Sequence, residues 1–297
     1  MNETIKKFRE ETTLKLIQAL MDGTAPWLQP WAGGGIPQNA VTGRKYSGMN
    51  VVLLSFLGES IDGGLDPRWC TFKQATDKKC HVKKGAKGVR ISFWSATSPK
   101  PKDTDDSEIN ELEAEQEDFA HFYQRVYTVF HASQIEGLPE YAKENLSPDE
   151  CNAKADEIIR NTGADIRFGG GAAFYNRTED YIQVPEKKYF KTLADYYATL
   201  LHEVAHWSGA QCRLNRPKGT RILGDACDDK YSREELVAEI TSMFLSAETG
   251  IVMTEEHFKN HAAYIASWIR LLQNDINAIF KAAADASKAA DFILSGK

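Results

Sequence analysis

The first part of the chain combines apolar stripes of helical spacing with short strand-like runs. Between residues 3 and 22, apolar side chains return every three or four positions and the pair Asp22-Gly23 follows, so we expect one helix that ends there. A short apolar run at residues 50–57 predicts a second helix. From Trp69 onward we expect short strands and basic loops, and the β-branched and aromatic residues of 91–97 predict a strand.

The middle of the chain continues with one strand and one helix. Apolar and aromatic residues crowd the segment 119–135, which predicts a buried strand around residues 125–130. Ser147 and Pro148 are residue types that favour the cap and the first position of a helix. We therefore expect a helix over residues 148–161.

A hairpin and a series of helices complete the pattern. Residues 172–175 and 181–184 have the composition of strands, and the polar residues between them predict a tight turn. Three helical regions are expected after the hairpin: 190–208, a helix from about Arg233 with Ser232 as its cap, and one or two helices over 255–294.

Length and composition indicate a globular protein. The 297 residues are enough for two domains, and 42% of them are hydrophobic while 26% are charged. No apolar run approaches the roughly 20 residues that cross a bilayer, so we expect no membrane contact. The charged amphipathic N-terminus lacks the apolar centre of a secretory signal. Five scattered cysteines form no paired motif, which favours a reducing, cytoplasmic location.

Charge is distributed unevenly along the chain. Residues 1–98 carry 14 basic and 8 acidic residues, whereas residues 99–297 carry 22 basic and 34 acidic ones. Nine acidic residues and no basic one lie between 103 and 118. We therefore divide the chain into a basic domain (1–98), an acidic flexible linker (99–118) and a second domain (119–297), and a basic domain on an acidic protein suggests an anionic partner.

The sequence H-E-V-A-H within the expected helix 190–208 has the spacing of a catalytic metal site. Histidines four positions apart, here His202 and His206, project from one face of a helix and can reach one ion. Glu203 then lies where it can accept a proton from the attacking water. This is the zincin arrangement, which predicts a divalent metal, most plainly Zn²⁺, with Mn²⁺ or another ion as alternatives. The competing interpretation is two surface histidines on an ordinary helix.

A third ligand is expected from the following helix. Glu235 and Glu239 lie four positions apart among apolar neighbours, and carboxylates in such a setting need a partner. We assign Glu235 as the third ligand and Glu239 as the acceptor for the free N–H of a ligand histidine, His202. This spacing resembles that of gluzincin peptidases. Two alternatives stay open: Glu234 or Glu239 is the ligand, or these glutamates are surface positions.

A gluzincin-type site also needs a donor for the negatively charged oxygen that forms during peptide hydrolysis. Tyr231, His261 and Tyr264 are the candidates, and the sequence does not choose among them. The expected enzyme class is a metalloendopeptidase-like hydrolase.

Basic residues interleave with aromatic ones in the N-terminal third. Cations that follow phosphates, beside rings on which bases stack, are typical of single-stranded nucleic-acid binding. The alternative is a solvated basic loop beside aromatic core residues. The candidate contacts are Arg44, Lys45, Tyr46, Trp69, Phe72, Lys73, Lys78, Lys79, Lys83, Lys84, Lys87, Arg90 and Trp94.

Several motifs together resemble one family, the ArdC-type antirestriction proteins of conjugative plasmids and other mobile elements. The segments PQNAVTGRKYSGMNVVLL, WCTFKQAT and HVKKGAKGVRISFW resemble that family's N-terminal domain. The segments VFHASQIEGLP, YIQVP, YYATLLHEVAHWSG, RLNR and YSREELVAEI resemble its zincin-like C-terminal domain.

The resemblance implies an α+β fold with two parts. A small basic α+β domain would bind single-stranded DNA, and a zincin-like, gluzincin-type α+β domain would carry His202, His206 and Glu235 as ligands and Glu203 as base. The implied role is the protection of incoming plasmid DNA from host restriction during conjugation. Alternative hypotheses are a metallopeptidase that cleaves a host protein, from the restriction system or elsewhere, and a zincin-fold scaffold without proteolysis.

Overall fold

The computed structural model describes residues 3–23, 35–62, 66–97, 121–142, 146–217, 228–252 and 255–296. At 59, 60, 62, 94–97, 121–123 and 255–263 it describes the backbone alone. The acidic segment expected to be a linker, 99–118, lies outside these ranges.

Helices dominate the described part of the chain. Its eight α-helices are α1 (Glu3–Met21), α2 (Met49–Asp62), α3 (Phe72–Asp77), α4 (Pro148–Asn161), α5 (Leu193–Ser208), α6 (Asp229–Thr249), α7 (Glu255–Asn274) and α8 (Ala278–Ser295). Its strands are β1 (Gln38–Asn39), β2 (Arg68–Thr71), β3 (His81–Val82), β4 (Val89–Thr97), β5 (His121–His131), β6 (Ile135–Glu136), β7 (Asp165–Phe168), β8 (Phe174–Asn176) and β9 (Tyr181–Val184). The mixture of helices and sheets confirms the expected fold class.

The strands form three sheets. The largest has the order β1-β2-β5-β4, with β1 and β2 parallel and the other pairs antiparallel. β3 and β6 form a two-stranded sheet, and β7-β9-β8 form a third in which β7 is parallel to β9. The edge strand β4 is protected at Ser92, whose N–H donates to Asn50 Oδ1 and whose C=O accepts from Asn50 Nδ2. This side chain from α2 replaces a missing neighbouring strand.

The largest sheet crosses the domain boundary that the sequence suggested. β5 belongs to the expected second domain, yet it pairs with β4 from Val89↔Val129 to Thr97↔His121 and with β2 on its other side. One hydrophobic core also joins the two parts: it contains Leu54 of α2 as well as Leu201 of α5. The division at residues 98 and 119 therefore separates β4 from β5, two neighbouring strands of one sheet. The sequence did not indicate this pairing, because local patterns do not reveal contacts between distant segments.

Most helix boundaries agree with the sequence, and the exceptions have local causes. α4 begins as expected, with Ser147 Oγ accepting from Glu150 N. α6 begins earlier than expected because Asp228, not Ser232, is its cap and accepts from Tyr231 N. The short helix α3 was not expected at all. Its start carries a capping box in which Thr71 and Gln74 satisfy each other's backbone N–H groups, a signal that is present in the sequence.

The helix α5, which carries the H-E-V-A-H motif, lies among the helices and strands that follow β5 in the chain. It packs against α6, α8 and the sheet β7-β9-β8. That sheet contains the expected hairpin as β8 and β9, and adds the unexpected parallel strand β7. Nearly every residue of α5 from Tyr196 to Ser208 is buried, including His202, whereas His206 is partly exposed.

Candidate metal centre and nucleic-acid surface

The two histidines of the motif meet at one point. α5 starts where Thr192 Oγ accepts from Asp195 N, and its last turn carries His206 one turn after His202. Their Nε2 atoms lie 3.1 Å apart. The four-residue spacing therefore brings two nitrogen donors to the same place, as helix geometry requires.

Glu235 of α6 supplies an oxygen donor at the same point. Its Oε2 lies 3.7 Å from His202 Nε2, and its Oε1 lies 3.6 Å from His206 Nε2. Donors at about 2.0–2.2 Å from a tetrahedral ion are about 3.3–3.6 Å from one another, close to these separations. His202, His206 and Glu235, named here the three-donor site, thus have the chemistry and the spacing that a zinc-like ion requires.

A second carboxylate stands behind each histidine. Glu239, which is fully buried, places Oε1 3.2 Å from His202 Nδ1, the position expected from the sequence. Glu234 places Oε1 3.3 Å from His206 Nδ1. The sequence suggested Glu234 only as an alternative ligand, whereas in the structure it faces the opposite nitrogen of the ring. Both rings thus direct Nε2 to the common point and Nδ1 to a carboxylate.

These carboxylates determine the charge state of the imidazoles. Burial alone lowers the pKa of His202, but Glu239, Glu235 and Glu203 outweigh it, and the pKa is raised well above its ordinary value. The pKa of His206 is raised to about 9, because Glu235 and Glu234 overcome the opposing effect of burial. Burial raises the pKa of Glu235, yet the two imidazoles lower it far below its usual range.

The proposed base and one proposed oxyanion donor lie on the two helices that carry the three-donor site. Glu203 follows His202 on α5 and is 8% exposed. Tyr231 lies one turn before Glu235 on α6, and its hydroxyl lies 3.3 Å from that of Tyr264. Burial and the negative charge of Glu235 both raise the pKa of Tyr231, so its hydroxyl keeps its proton and stays a donor. His261 belongs to α7, but its side chain lies outside the described part.

The predicted nucleic-acid contacts separate into exposed and buried residues. Nine side chains are exposed: Arg44, Lys45, Phe72, Lys73, Lys78, Lys79, Lys83, Lys84 and Lys87. Trp69 is 1% exposed and Tyr46 is 6% exposed, and both belong to the core. Their rings present no free face to a base, so they do not belong in the binding surface. The side chain of Trp94 lies outside the described part of the structure.

Three of the remaining cations have partners within the chain. Lys45 Nζ lies 2.7 Å from Glu248 Oε2, and Arg90 Nη1 lies 3.0 Å from Glu11 Oε2. Lys83 Nζ donates to the backbone carbonyl of Ser133 at 2.8 Å, which is an uncharged acceptor.

Positive charge is concentrated from the start of α3 to the start of β4. Residues 72–90 contain seven basic residues and one acidic residue, Asp77. We name Phe72, Lys73, Lys78, Lys79, Lys83, Lys84 and Lys87 the basic surface.

Comparison with known proteins agrees with this architecture. Residues 6–130 match the N-terminal domain of anti-restriction factor ArdC, and residues 153–285 match a zincin-like metallopeptidase family. The metal-free crystal structure of the antirestriction ArdC protein from the R388 plasmid is 35% identical and covers 97% of both chains, with a TM-score of 0.76. The chain belongs to the ArdC antirestriction family. The Mn(II)-bound crystal structure of the R388 ArdC protein is similar to the same extent, with a TM-score of 0.75.

The ArdC-like sequence also occurs within larger proteins. Two Escherichia coli proteins named DNA primase TraC are 38% and 37% identical over 99% of this chain, which spans 28% and 20% of their lengths. Protein y4eC of Sinorhizobium fredii (strain NBRC 101917 / NGR234) is 32% identical over 96% of this chain and 90% of its own length. Across the described ranges, no helix has the length and apolar content needed to pass through a membrane.

Proposed function

We propose that this chain is an antirestriction protein that binds single-stranded DNA and protects incoming plasmid DNA from host restriction during conjugation. The observation that carries the proposal is the basic surface in an ArdC-family chain. Its lysines are exposed and can follow a phosphate backbone. Phe72, with 61% of its surface exposed, offers a ring on which a base stacks. Because most of the Phe72 ring is exposed, it contributes little to the hydrophobic core, and its place among lysines fits a nucleic-acid contact.

Salt dependence of DNA binding tests this proposal. Lysine–phosphate contacts release counterions, so the affinity of the full chain for a fluorescent oligonucleotide of about 16 nucleotides should fall steeply between about 50 mM and about 300 mM salt. Replacing Lys83, Lys84 and Lys87 by alanine should weaken binding and flatten the salt dependence. The matched control replaces three lysines that lie outside the basic surface by alanine: Lys154, Lys188 and Lys288. Equal affinity at both salt concentrations would contradict the proposal.

We also propose that the three-donor site holds a divalent ion, Zn²⁺ or Mn²⁺, with the R388 relative as support for Mn²⁺. A bound ion supplies Lewis-acid polarisation of a carbonyl and increases the acidity of water. Glu203 accepts the proton of the attacking water and returns it to the leaving amine. The protonated hydroxyl of Tyr231 donates to the oxygen that becomes negative. Elemental analysis of the wild type beside Glu235→Ala tests the ligand assignment and identifies the metal.

A second candidate function is the cleavage of a host protein, such as a component of the restriction system. The observation that favours it is Glu203, because a purely structural metal site gains nothing from an additional buried carboxylate. Glu203→Gln should retain the metal and abolish proteolysis of the partner. If Glu203→Gln retains every measurable activity, the chain uses the zincin fold as a scaffold without proteolysis. We propose a cytoplasmic location, which the free thiols of Cys70, Cys80, Cys151 and Cys212 favour.

A further inference from the structure

Arg216 is a buried cation beside the three-donor site. It is 6% exposed and lies in the loop that follows α5. Its Nε and Nη2 donate to Glu234 Oε2 and Oε1 at 3.0 and 2.7 Å, a bidentate pair. The same guanidinium donates from Nη1 to Ser208 Oγ at 2.9 Å and from Nη2 to the carbonyl of Ala205 at 2.6 Å. One side chain therefore holds both Glu234 and the last turn of α5.

The chain makes room for this guanidinium at Gly209. A Cβ at this position would lie 2.7 Å from Arg216 Nη2 and 2.9 Å from Cζ, closer than real Cβ contacts. The glycine that ends the metal-motif helix does not have the left-handed backbone that usually demands glycine, since its φ is −82°. The close approach of Arg216 is thus the reason that a side chain does not fit here.

The loop carrying Arg216 is itself fixed from the opposite side. Arg177, in the turn between β8 and β9, donates from Nη2 to the carbonyls of Arg216 and Gly209 at 2.7 and 2.8 Å. The hairpin therefore holds the backbone of Arg216 while its side chain holds Glu234.

We propose that Arg216 is a positioning residue of the metal centre: it keeps Glu234 against Nδ1 of His206, so that Nε2 of His206 stays aimed at the ion. This inference rests on the proposed metal centre. The geometry supports it because Glu234 bridges two side chains, with two hydrogen bonds from Arg216 and one contact with His206. The arginine fork fixes the plane of the carboxylate between them.

The charge of the site points the same way. Four carboxylates act on the two histidines: Glu203, Glu234, Glu235 and Glu239. Arg216 neutralises one of them. Without it, the buried Glu234 carboxylate would lose two charged hydrogen bonds and would turn towards solvent. His206 would then lose its fixed acceptor.

The test compares Arg216→Met, Glu234→Gln and the double variant with the wild type. Titration calorimetry of the full chain with Zn²⁺ measures affinity per folded molecule. Each single variant should lose about 10-fold to 100-fold in affinity, the usual effect of removing a group that orients a ligand histidine. The double variant should lose no more than the weaker-binding single variant, because both changes break the same link.

Arg213→Met is the matched control. Arg213 lies in the same loop, donates to the carbonyl of Trp207 at the end of α5 and lies over the Trp207 ring. Its other hydrogen bonds go to Tyr175 and Asp180, whereas those of Arg216 go to Glu234. Its removal should leave Zn²⁺ affinity within about twofold of the wild type. In ¹H–¹⁵N spectra of the Zn²⁺-loaded protein, the Nδ1–H signal of His206 should shift in Arg216→Met and Glu234→Gln but not in Arg213→Met.

Two outcomes would overturn the inference while leaving the proposed metal site intact. The first is wild-type Zn²⁺ affinity in Glu234→Gln. The second is an equal loss of Zn²⁺ affinity in Arg216→Met and Arg213→Met, which would mean that Arg216 only stabilises the loop. Gly209→Ala gives an independent check if Arg216→Met does not fold, since its methyl group displaces the guanidinium and should also weaken Zn²⁺ binding. A wild-type chain that binds no divalent ion would instead refute the proposed metal centre itself.

Discussion

Trp69 and Phe72 lie three positions apart, and the structure gives them opposite roles that mutation can separate. Trp69 is 1% exposed and packs edge-on against His131, with 4.8 Å between the ring centroids. Phe72 is 61% exposed at the start of α3. We predict that Trp69→Ala destabilises the fold, whereas Phe72→Ala weakens the binding of single-stranded DNA and leaves stability unchanged.

The magnitudes follow from burial. A fully buried tryptophan removes roughly 200 Å² from water, which at about 25 cal/mol per Å² contributes on the order of 5 kcal/mol, and truncation to alanine costs about 3–5 kcal/mol. Phe72→Ala removes a ring that is already largely hydrated, so the free energy of unfolding should change by less than about 0.5 kcal/mol. Loss of one stacked base costs about 1–3 kcal/mol, or about 5-fold to 150-fold in Kd.

Urea denaturation followed by circular dichroism measures stability, and fluorescence anisotropy measures DNA affinity. Trp69→Phe is the milder core variant, which keeps an aromatic ring in place so that DNA binding can be measured on folded protein. The reasoning is refuted if folded Trp69→Phe loses as much DNA affinity as Phe72→Ala, or if Phe72→Ala destabilises the chain by several kcal/mol.

Three further predictions concern the three-donor site. A divalent ion at about 100 times its Kd should raise the free energy of unfolding by about 2.7 kcal/mol, and a chelator or Glu235→Ala should abolish this gain in thermal denaturation experiments. Metal affinity should rise with pH through the range below about 9, because the pKa of His206 is raised to about 9 and that of His202 is also raised, so the ion must displace protons from both rings. Calorimetry in buffers of different ionisation enthalpy should show proton release, and a pH-independent affinity would contradict the assignment. Tyr231→Phe should keep metal affinity but slow any peptide hydrolysis by about 10²-fold to 10³-fold, and an unchanged rate would exclude Tyr231 as the oxyanion donor.

Features set by short-range spacing could be predicted from the sequence. His202 and His206 meet because a helix turn fixes their separation, and Glu235 and Glu239 share a face of α6 for the same reason. The Ser147 cap and the α4 boundaries likewise follow from local chemistry. The partner of His202 at Glu239 was expected because a carboxylate among apolar neighbours needs one.

Features set by distant contacts could not be predicted. Arg216 lies in a loop without periodicity, so nothing in the sequence joins it to Glu234. Tryptophan is a residue type that often stacks on bases, so the sequence suggested a binding role for Trp69. Its burial depends on the pairing of β2 with β5, which are separated in the sequence by the acidic segment. Composition indicates that a segment is basic and aromatic, and only the fold shows which of its rings face solvent.

The central claim, antirestriction activity, is tested most directly by conjugation. The measurement is the transfer frequency of a plasmid encoding this chain into a restricting recipient, relative to an isogenic recipient without the restriction enzyme. We predict that the plasmid escapes restriction with the wild-type chain and that replacing Lys83, Lys84 and Lys87 by alanine removes this advantage. A relative transfer frequency that stays the same when the gene is deleted would contradict the account.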